Sequence, residues 1–272
     1  MALKLMYITN NTDVARIAEN AGVDRIFIDL ETVGKQERQG GMDTVQSHHT
    51  LEDISKIKKA LTKAELLVRS NPIHENTEKE IETIVNNGAD IIMLPYFKTV
   101  DEVDKFLKCV NGRIKTCLLF ETPEAAEQID EIMSLDGIDE VFIGLNDLSL
   151  GYGKKFMFEL LADGTVEKMC LKFKLKGVPY GFGGIAAIGT GTLPAETILK
   201  EHYRLGSSSV ILSRSFCNYE KIKDLDRIRT IFETGIGCMR SFEREIQLHS
   251  DYFRENNNRL NQCVNKIVGA AS

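Results

Sequence analysis

The chain has no Cys-x-x-Cys pair, no His-x-x-x-His spacing, no basic stripe and no long apolar run. Without paired cysteines or histidines, a structural or catalytic zinc site has no ligand set of the usual spacing. Six cysteines are scattered at 109, 117, 170, 217, 238 and 263, with 117 and 170 in apolar contexts. They read as reduced, mostly core thiols of a cytosolic protein. A formal net charge of -6 with no clustered Lys or Arg argues against nucleic acid as a partner. Small anions need only one or two local arginines and stay open. No run approaches the ~18 apolar residues of a membrane span, and the start, Met1 to Tyr7, is strand-like with no extended apolar core. The expectation is a cytoplasmic protein without a membrane partner.

What is present is alternation. Strand-like runs near 4-9, 26-30, 65-70, 90-94, 115-120, 140-143, 178-182 and 208-213 are separated by amphipathic stretches such as Thr12 to Ala21, Leu51 to Leu61, Thr77 to Asn87, Val100 to Val110 and Pro194 to Leu205. Strand and helix in turn build βαβ units and a parallel sheet. Eight strands in 272 residues, 43% of them hydrophobic, suit an α/β fold of the (β/α)8 TIM barrel type. A doubly wound open sheet alternates in the same way and is the competing architecture. Gly22, Gly88, Gly137 and Gly206 follow helical segments where a left-handed cap is expected.

Two regions depart from the repeat. Thr32 to Thr50 is a long polar connection after the second strand, and loops of this length in compact domains are often functional. Residues 218-272 form a charged, mostly helical segment longer than one barrel helix needs. We expect a single barrel domain over 1-272, with 218-272 a helical extension used in oligomerisation.

In a barrel, functional groups gather where strands end and the following loops begin. Asp29 and Glu31 end the second strand, Arg69 the third, Glu121 the fifth, and Asp147 follows the sixth. Acids at such positions also serve as helix caps, which is the competing reading of Glu121 and Asp147. With an arginine from a third strand beside them, two carboxylates suit Mg²⁺ or Mn²⁺, which prefer oxygen ligands and keep waters that a substrate can displace. Arg69 ends an apolar strand and needs an anionic partner, either a substrate or Asp29 and Glu31, and the two are compatible. His48 and His49 in the long connection are candidate proton shuttles, although a histidine pair in a polar loop is commonly inert. Gly181-Phe182-Gly183-Gly184-Ile185 could cradle a carboxylate or phosphate, or form a turn that closes the barrel. Its glycine spacing and its place after the seventh strand do not fit a dinucleotide fingerprint.

Several segments together resemble the HpcH/HpaI aldolase and citrate lyase beta-chain family of metal-dependent pyruvate-type lyases. They are Asp24 to Glu31, Val68-Arg69-Ser70-Asn71, Gly88 to Pro95, Phe120-Glu121-Thr122-Pro123-Glu124-Ala125 and Gly137 to Ser149. The resemblance runs over roughly residues 20 to 215, in the family's order and spacing. It implies that Glu121 and Asp147 bind Mg²⁺ or a similar ion, that Arg69 helps to hold an enolate oxygen, and that groups around Asn146 and Asp147 bind the substrate carboxylate. Cation and guanidinium would both act where negative charge develops.

The chain also departs from the family pattern. Thr32 stands where the HpaI-type aldolases carry a histidine, and Gly144-Leu145 replaces a common Gly-Pro before the second metal ligand. Asp29-Leu30-Glu31 is closer to the citrate lyase branch. Either His48 or His49 takes the acid-base role, or Glu31 does so with a metal-bound water, or the retained reaction is a different one. The activity implied is a metal-dependent carbon-carbon lyase or aldolase acting on a 2-oxo acid or hydroxy acid, in a homo-oligomer, trimer or hexamer. The alternatives are a citramalyl- or malyl-CoA-type lyase, phosphoenolpyruvate-type chemistry at phosphorus, and a non-catalytic oxo-acid-binding protein.

Overall fold

The computed structural model describes residues 2–33 and 48–270. Most of the long polar connection, residues 34–47, therefore lies outside the described residues. Eight parallel strands follow one another around a closed barrel. They are β1 Lys4–Ile8, β2 Arg25–Asp29, β3 Glu65–Arg69, β4 Ile91–Leu94, β5 Lys115–Phe120, β6 Glu140–Ile143, β7 Tyr180–Ile185 and β8 Ser209–Leu212. Pairing of β8 with β1, from Lys4↔Ser209 to Tyr7↔Leu212, closes the ring and excludes the open doubly wound sheet.

The helices among the described residues are α1 Thr12–Ala21, α2 Leu51–Ala60, α3 Thr77–Asn86, α4 Val100–Val110, α5 Pro123–Glu127, α6 Ile129–Ile132, α7 Leu145–Gly151, α8 Glu159–Ala162, α9 Thr165–Leu175, α10 Ala195–Leu205, α11 Leu225–Ile246 and α12 Phe253–Ala270. Their ends have local causes. Asn11 caps α1 by accepting from the N–H groups of Asp13 and Val14, and Gly22 ends it in the left-handed conformation. Gly88, Gly137 and Gly206 also take positive φ, as their positions in the sequence suggest. No described helix is long and apolar enough to cross a membrane.

Successive side chains of a strand point to opposite faces, so one set lines the barrel axis and the other packs under the helices. Ile26, Ile28, Leu66, Val68, Leu118 and Phe120 belong to the outer layer, against the helices. Met6, Phe27, Leu67, Ile91, Met93, Cys117, Leu119 and Phe142 fill the interior as a separate cluster. Each full burial of such a side chain stabilises the fold by about 1.5–3 kcal/mol.

The inward set carries charges at both ends of this plug. At the amino end Arg25, 1% exposed, donates from Nε to Glu65 at 2.8 Å and from both terminal nitrogens to Glu140 at 2.6 Å. At the carboxyl end the same alternation turns Asp29, Arg69 and Glu121 inward.

β7 corrects one expectation. The glycine-rich segment is not a turn: the strand continues through it to Ile185, and its register against β8 shifts between Gly181 and Gly184. Gly183 sits in this irregularity with φ +57, and a Cβ there would lie 2.8 Å from Leu145 Cδ1.

Beyond β8, α11 is the barrel's eighth outer helix. It ties the chain start down, since Glu243 Oε1 accepts from the Leu3 N–H and Arg240 donates to the Leu3 carbonyl. The surplus helix α12 packs on α10 and α8 of the same chain. Its buried Asn256 donates to the Thr197 carbonyl and to Glu201.

Candidate active site

The inward-facing strand ends and the loops beyond them enclose a cavity of about 400 Å³ at the carboxyl end of the barrel. Asp29, Arg69, Glu121, Asn146 and Asp147 all line it, together with His49. Residues from β2, β3, β5, β6 and the long connection thus converge as strand-end chemistry requires.

Arg69 is the best-defined part. Asp29 and Arg69 are paired in register across β2 and β3. The guanidinium grips the carboxylate with two bonds, Nε to Oδ1 and Nη2 to Oδ2, each 2.8 Å. Nη1 lies 3.2 Å from Glu31 Oε2. Burial alone would weaken the charge on Arg69, and Asp29, Glu31 and the more distant Glu121 outweigh it, raising its pKa. The side chain is a fixed cation with its donors aimed by two acids.

Glu121 is 3% exposed. The cap of α5 is Thr122, whose hydroxyl accepts from the Ala125 N–H, so Glu121 is not used as a cap. Instead its Oε1 accepts from the Tyr96 N–H at 3.0 Å, and Tyr96 adopts φ 48. Gly144 passes so close that a Cβ on it would lie 2.7 Å from Glu121 Oε2. Asp147 stands in the first turn of α7, where a negative charge is favoured, and also on the cavity wall.

Among the described residues the cavity wall bears four carboxylates, Asp29, Glu121, Asp147 and Glu220, against two arginines, Arg69 and Arg214. Among the described residues no group of three or more His, Cys, Asp and Glu side chains forms a metal cage. Two hard oxygen donors on an acidic wall fit an ion that completes its shell with water and substrate, as Mg²⁺ and Mn²⁺ do.

The two histidines part company. His49 lines the cavity, and its Nδ1 accepts from the Asp29 N–H at 3.0 Å. His48 is exposed and does not reach the cavity; it lines a neighbouring depression with Asn10 and Lys223, which His49 also borders. Glu31 is buried behind Arg69 and is not on the cavity wall. Both ends of the long connection are anchored. Asn71 Oδ1 accepts from the N–H groups of Thr32 and Val33 at the entry, and Asp53 accepts from the Thr50 N–H at the exit.

With this geometry in view, comparison with known proteins is decisive for the family. The HpcH/HpaI aldolase/citrate lyase family model matches residues 4–161. The chain belongs to the HpcH/HpaI aldolase/citrate lyase family. It is 28% identical to a hydroxypyruvate/pyruvate aldolase from Sagittula stellata over 29% of this chain and 42% of that one. The chain therefore matches less than half the length of this curated relative. Among solved structures it resembles an HpcH/HpaI aldolase from Desulfitobacterium hafniense DCB-2, with TM-score 0.62, 18% identity, and 84% and 93% of the two chains covered. An HpcH/HpaI aldolase/citrate lyase family protein from Burkholderia cenocepacia J2315 gives TM-score 0.63 at 15% identity, covering 84% and 94%. At these identities the likeness is one of fold.

Within this HpcH/HpaI barrel the structure also adds residues that the sequence reading passed over. Arg214, Ser213 and Asn218 line the cavity after β8. The signal was available, because Arg214 comes two residues after an apolar strand, much as Arg69 closes one. Of the glycine-rich segment, Gly183 and Gly184 reach the cavity wall.

Proposed function

We propose that the chain is a divalent-metal-dependent carbon-carbon lyase of the aldolase type, cleaving or forming the bond beyond C3 of a 2-oxo acid through a pyruvate-type enolate. The observation that supports this most is the meeting in one cavity of Glu121, Asp147 and an Arg69 already oriented by Asp29 and Glu31. Glu121 and Asp147 would hold the ion. When bound, Mg²⁺ or Mn²⁺ supplies Lewis-acid polarisation of the substrate's carboxylate and keto oxygens.

In the cleavage direction, loss of the proton from a C4 hydroxyl sends its electron pair into a new carbonyl. The C3–C4 bond breaks, and its electrons end on the keto oxygen as an enolate. Arg69 would donate to that oxygen, and its charge is the one that grows more useful as the bond breaks. Asn146 would meet the substrate beside Asp147. His49 would move a proton at the cavity wall, and Glu31 would act through Arg69. The enolate then takes a proton at C3 to give the 2-oxo acid.

The test is NMR exchange of pyruvate methyl protons in D₂O, with metal-stripped protein to which Mg²⁺ or Mn²⁺ is returned. Metal-dependent exchange that is lost in Asp147→Ala and in Glu121→Ala is expected. Tight metal and oxalate binding without exchange would overturn the lyase reading in favour of phosphorus chemistry or an oxo-acid-binding protein. The expected homo-oligomer, trimer or hexamer, belongs to the same proposal, and a light-scattering mass of one chain would end that part.

A further inference from the structure

Arg69 is aimed by two acids that are themselves held in different ways. Asp29 belongs to β2, and the β2–β3 register sets it opposite Arg69. Glu31 lies beyond the strand. The Leu30 N–H still donates across the pair to the Arg69 carbonyl at 3.0 Å, but Ser70 already turns to β4, donating to the Met93 carbonyl. The ladder therefore leaves the N–H groups after Glu31 to find other acceptors.

Asn71 supplies the acceptor. Its Oδ1 takes the N–H of Thr32 at 2.9 Å, the N–H of Val33 at 3.0 Å and the Thr32 hydroxyl at 3.3 Å. Glu80, in the first turn of α3, holds the other end of the amide. Its Oε1 accepts from Asn71 Nδ2 at 2.8 Å and from the Asn71 N–H at 3.2 Å. This network admits one orientation of the amide, because a flip would set Nδ2 against two backbone donors and Oδ1 against a carboxylate. Glu80 Oε2 is buried with no hydrogen-bond partner among the described residues, and His74 Nε2 lies 3.8 Å away. The cost of that bare oxygen is offset by the charge-assisted bonds from Asn71 and by the helix N-terminus. Neither Asn71 nor Glu80 lines the cavity.

We infer that Asn71, held by Glu80, is a positioning residue for Arg69. It pins the backbone directly after Glu31 and so keeps the Glu31 carboxylate 3.2 Å from Arg69 Nη1. Asp29 grips Nε and Nη2, and Glu31 stands at the third nitrogen, so the guanidinium cannot tilt about the Asp29 pair. This rests on the lyase reading above. A tilted Arg69 would still meet the substrate but would miss the geometry in which charge develops on the keto oxygen, so loss of Asn71 lowers kcat more than it raises KM.

The experiment reads Arg69 directly. Oxalate, a planar analogue of the enolate, is titrated calorimetrically into Mn²⁺-loaded wild type, Asn71→Ala, Arg69→Ala and the double variant. Pyruvate exchange in D₂O is followed in wild type and Asn71→Ala. Asn71→Ala is expected to weaken oxalate roughly tenfold while Arg69 is present and to add nothing once Arg69 is gone. Its exchange should lose roughly tenfold or more in kcat, with KM within about twofold of wild type. Asn71→Asp sets a second carboxylate against Glu80 and should weaken oxalate in the same way. Combining it with Glu80→Gln, so that acid and amide change places, should recover most of the affinity. A residue that only stabilised the fold would weaken oxalate equally with and without Arg69. That result, or wild-type oxalate affinity in Asn71→Ala, would overturn the assignment while exchange in the wild type still upheld the lyase reading. Should Asn71→Ala not fold, the Asp variant and its rescue decide, and no recovery would overturn the assignment. Absence of exchange in the wild type would end both.

Discussion

The backbone N–H of Asp29 donates to Nδ1 of His49 at 3.0 Å. One bond therefore brings the exit of a long connection back to the strand end where it began. With Nδ1 accepting, the neutral ring carries its proton on Nε2, and a proton added to Nδ1 would face another donor. His49→Ala is expected to slow pyruvate exchange by about 10²–10⁴, the usual range for a positioned acid-base group. His48→Ala should stay near wild type. Equal effects of the two substitutions in the exchange assay would remove His49 from the mechanism.

Gly144 is expected to be intolerant of even a methyl group. Its φ of -83 suits any residue, so the obstacle is Glu121, whose Oε2 and Cβ would lie 2.7 and 2.8 Å from the new carbon. Gly144→Ala should cost about 1–3 kcal/mol in stability from overpacking and displace the Glu121 carboxylate. Calorimetric titration should then show Mn²⁺ affinity down by roughly tenfold or more. Wild-type affinity in this variant would argue that Glu121 is not a ligand.

At the amino end, Arg25→Ala would leave Glu140 and Glu65 without their buried cation. A loss of about 3–5 kcal/mol is expected in urea unfolding. Burial alone would raise the Glu65 pKa, but its bonds to Lys115 and Arg25 bring it down from 4.5 to about 2. This stabilisation is complete above pH 4.5 and is lost as pH falls from 4.5 through 2. Arg25→Ala should flatten the acid limb of the stability curve over that window. An unchanged limb would show that Lys115 alone holds Glu65.

His202 is buried and stacks on Phe182 with ring centroids 3.8 Å apart. Burial pushes its pKa from 6.5 down to about 3. The unfolded chain takes up this proton first, so the contribution is present above pH 6.5 and falls as pH drops from 6.5 towards 3. Its slope is up to about 1.4 kcal/mol per pH unit. Stability measured across that range should fall less steeply in His202→Phe than in wild type. Identical slopes would place the proton uptake on another group.

Much of the fold was legible because its signals are local. Apolar runs, amphipathic spacing and glycine caps depend on neighbours within a few residues, and most strand bounds were found to within one or two positions. β7 was misjudged because glycines that break a run in sequence are absorbed by a register shift against β8. Glu121 and Arg69 were readable because each closes an apolar run with a charge, and Asp147 because it follows such a run within a few residues. The inward alternation was hidden, since strands buried on both faces show no period. Arg25 was missed for that reason, and the bidentate grip of Asp29 on Arg69 required the β2–β3 register as well.

His48 and His49 are adjacent and chemically identical, so nothing local distinguishes them. By itself the sequence determined the alternation of strands and helices, the helix ends and the chemical types waiting at the strand ends, all of which follow from short-range preferences. The tertiary structure decided that the sheet closes, which faces turn inward, which histidine reaches the cavity and that Arg214 lines it with no partner among the described residues. Those depend on pairing between residues far apart in the chain, where closure of the barrel, and no local propensity, sets who meets whom.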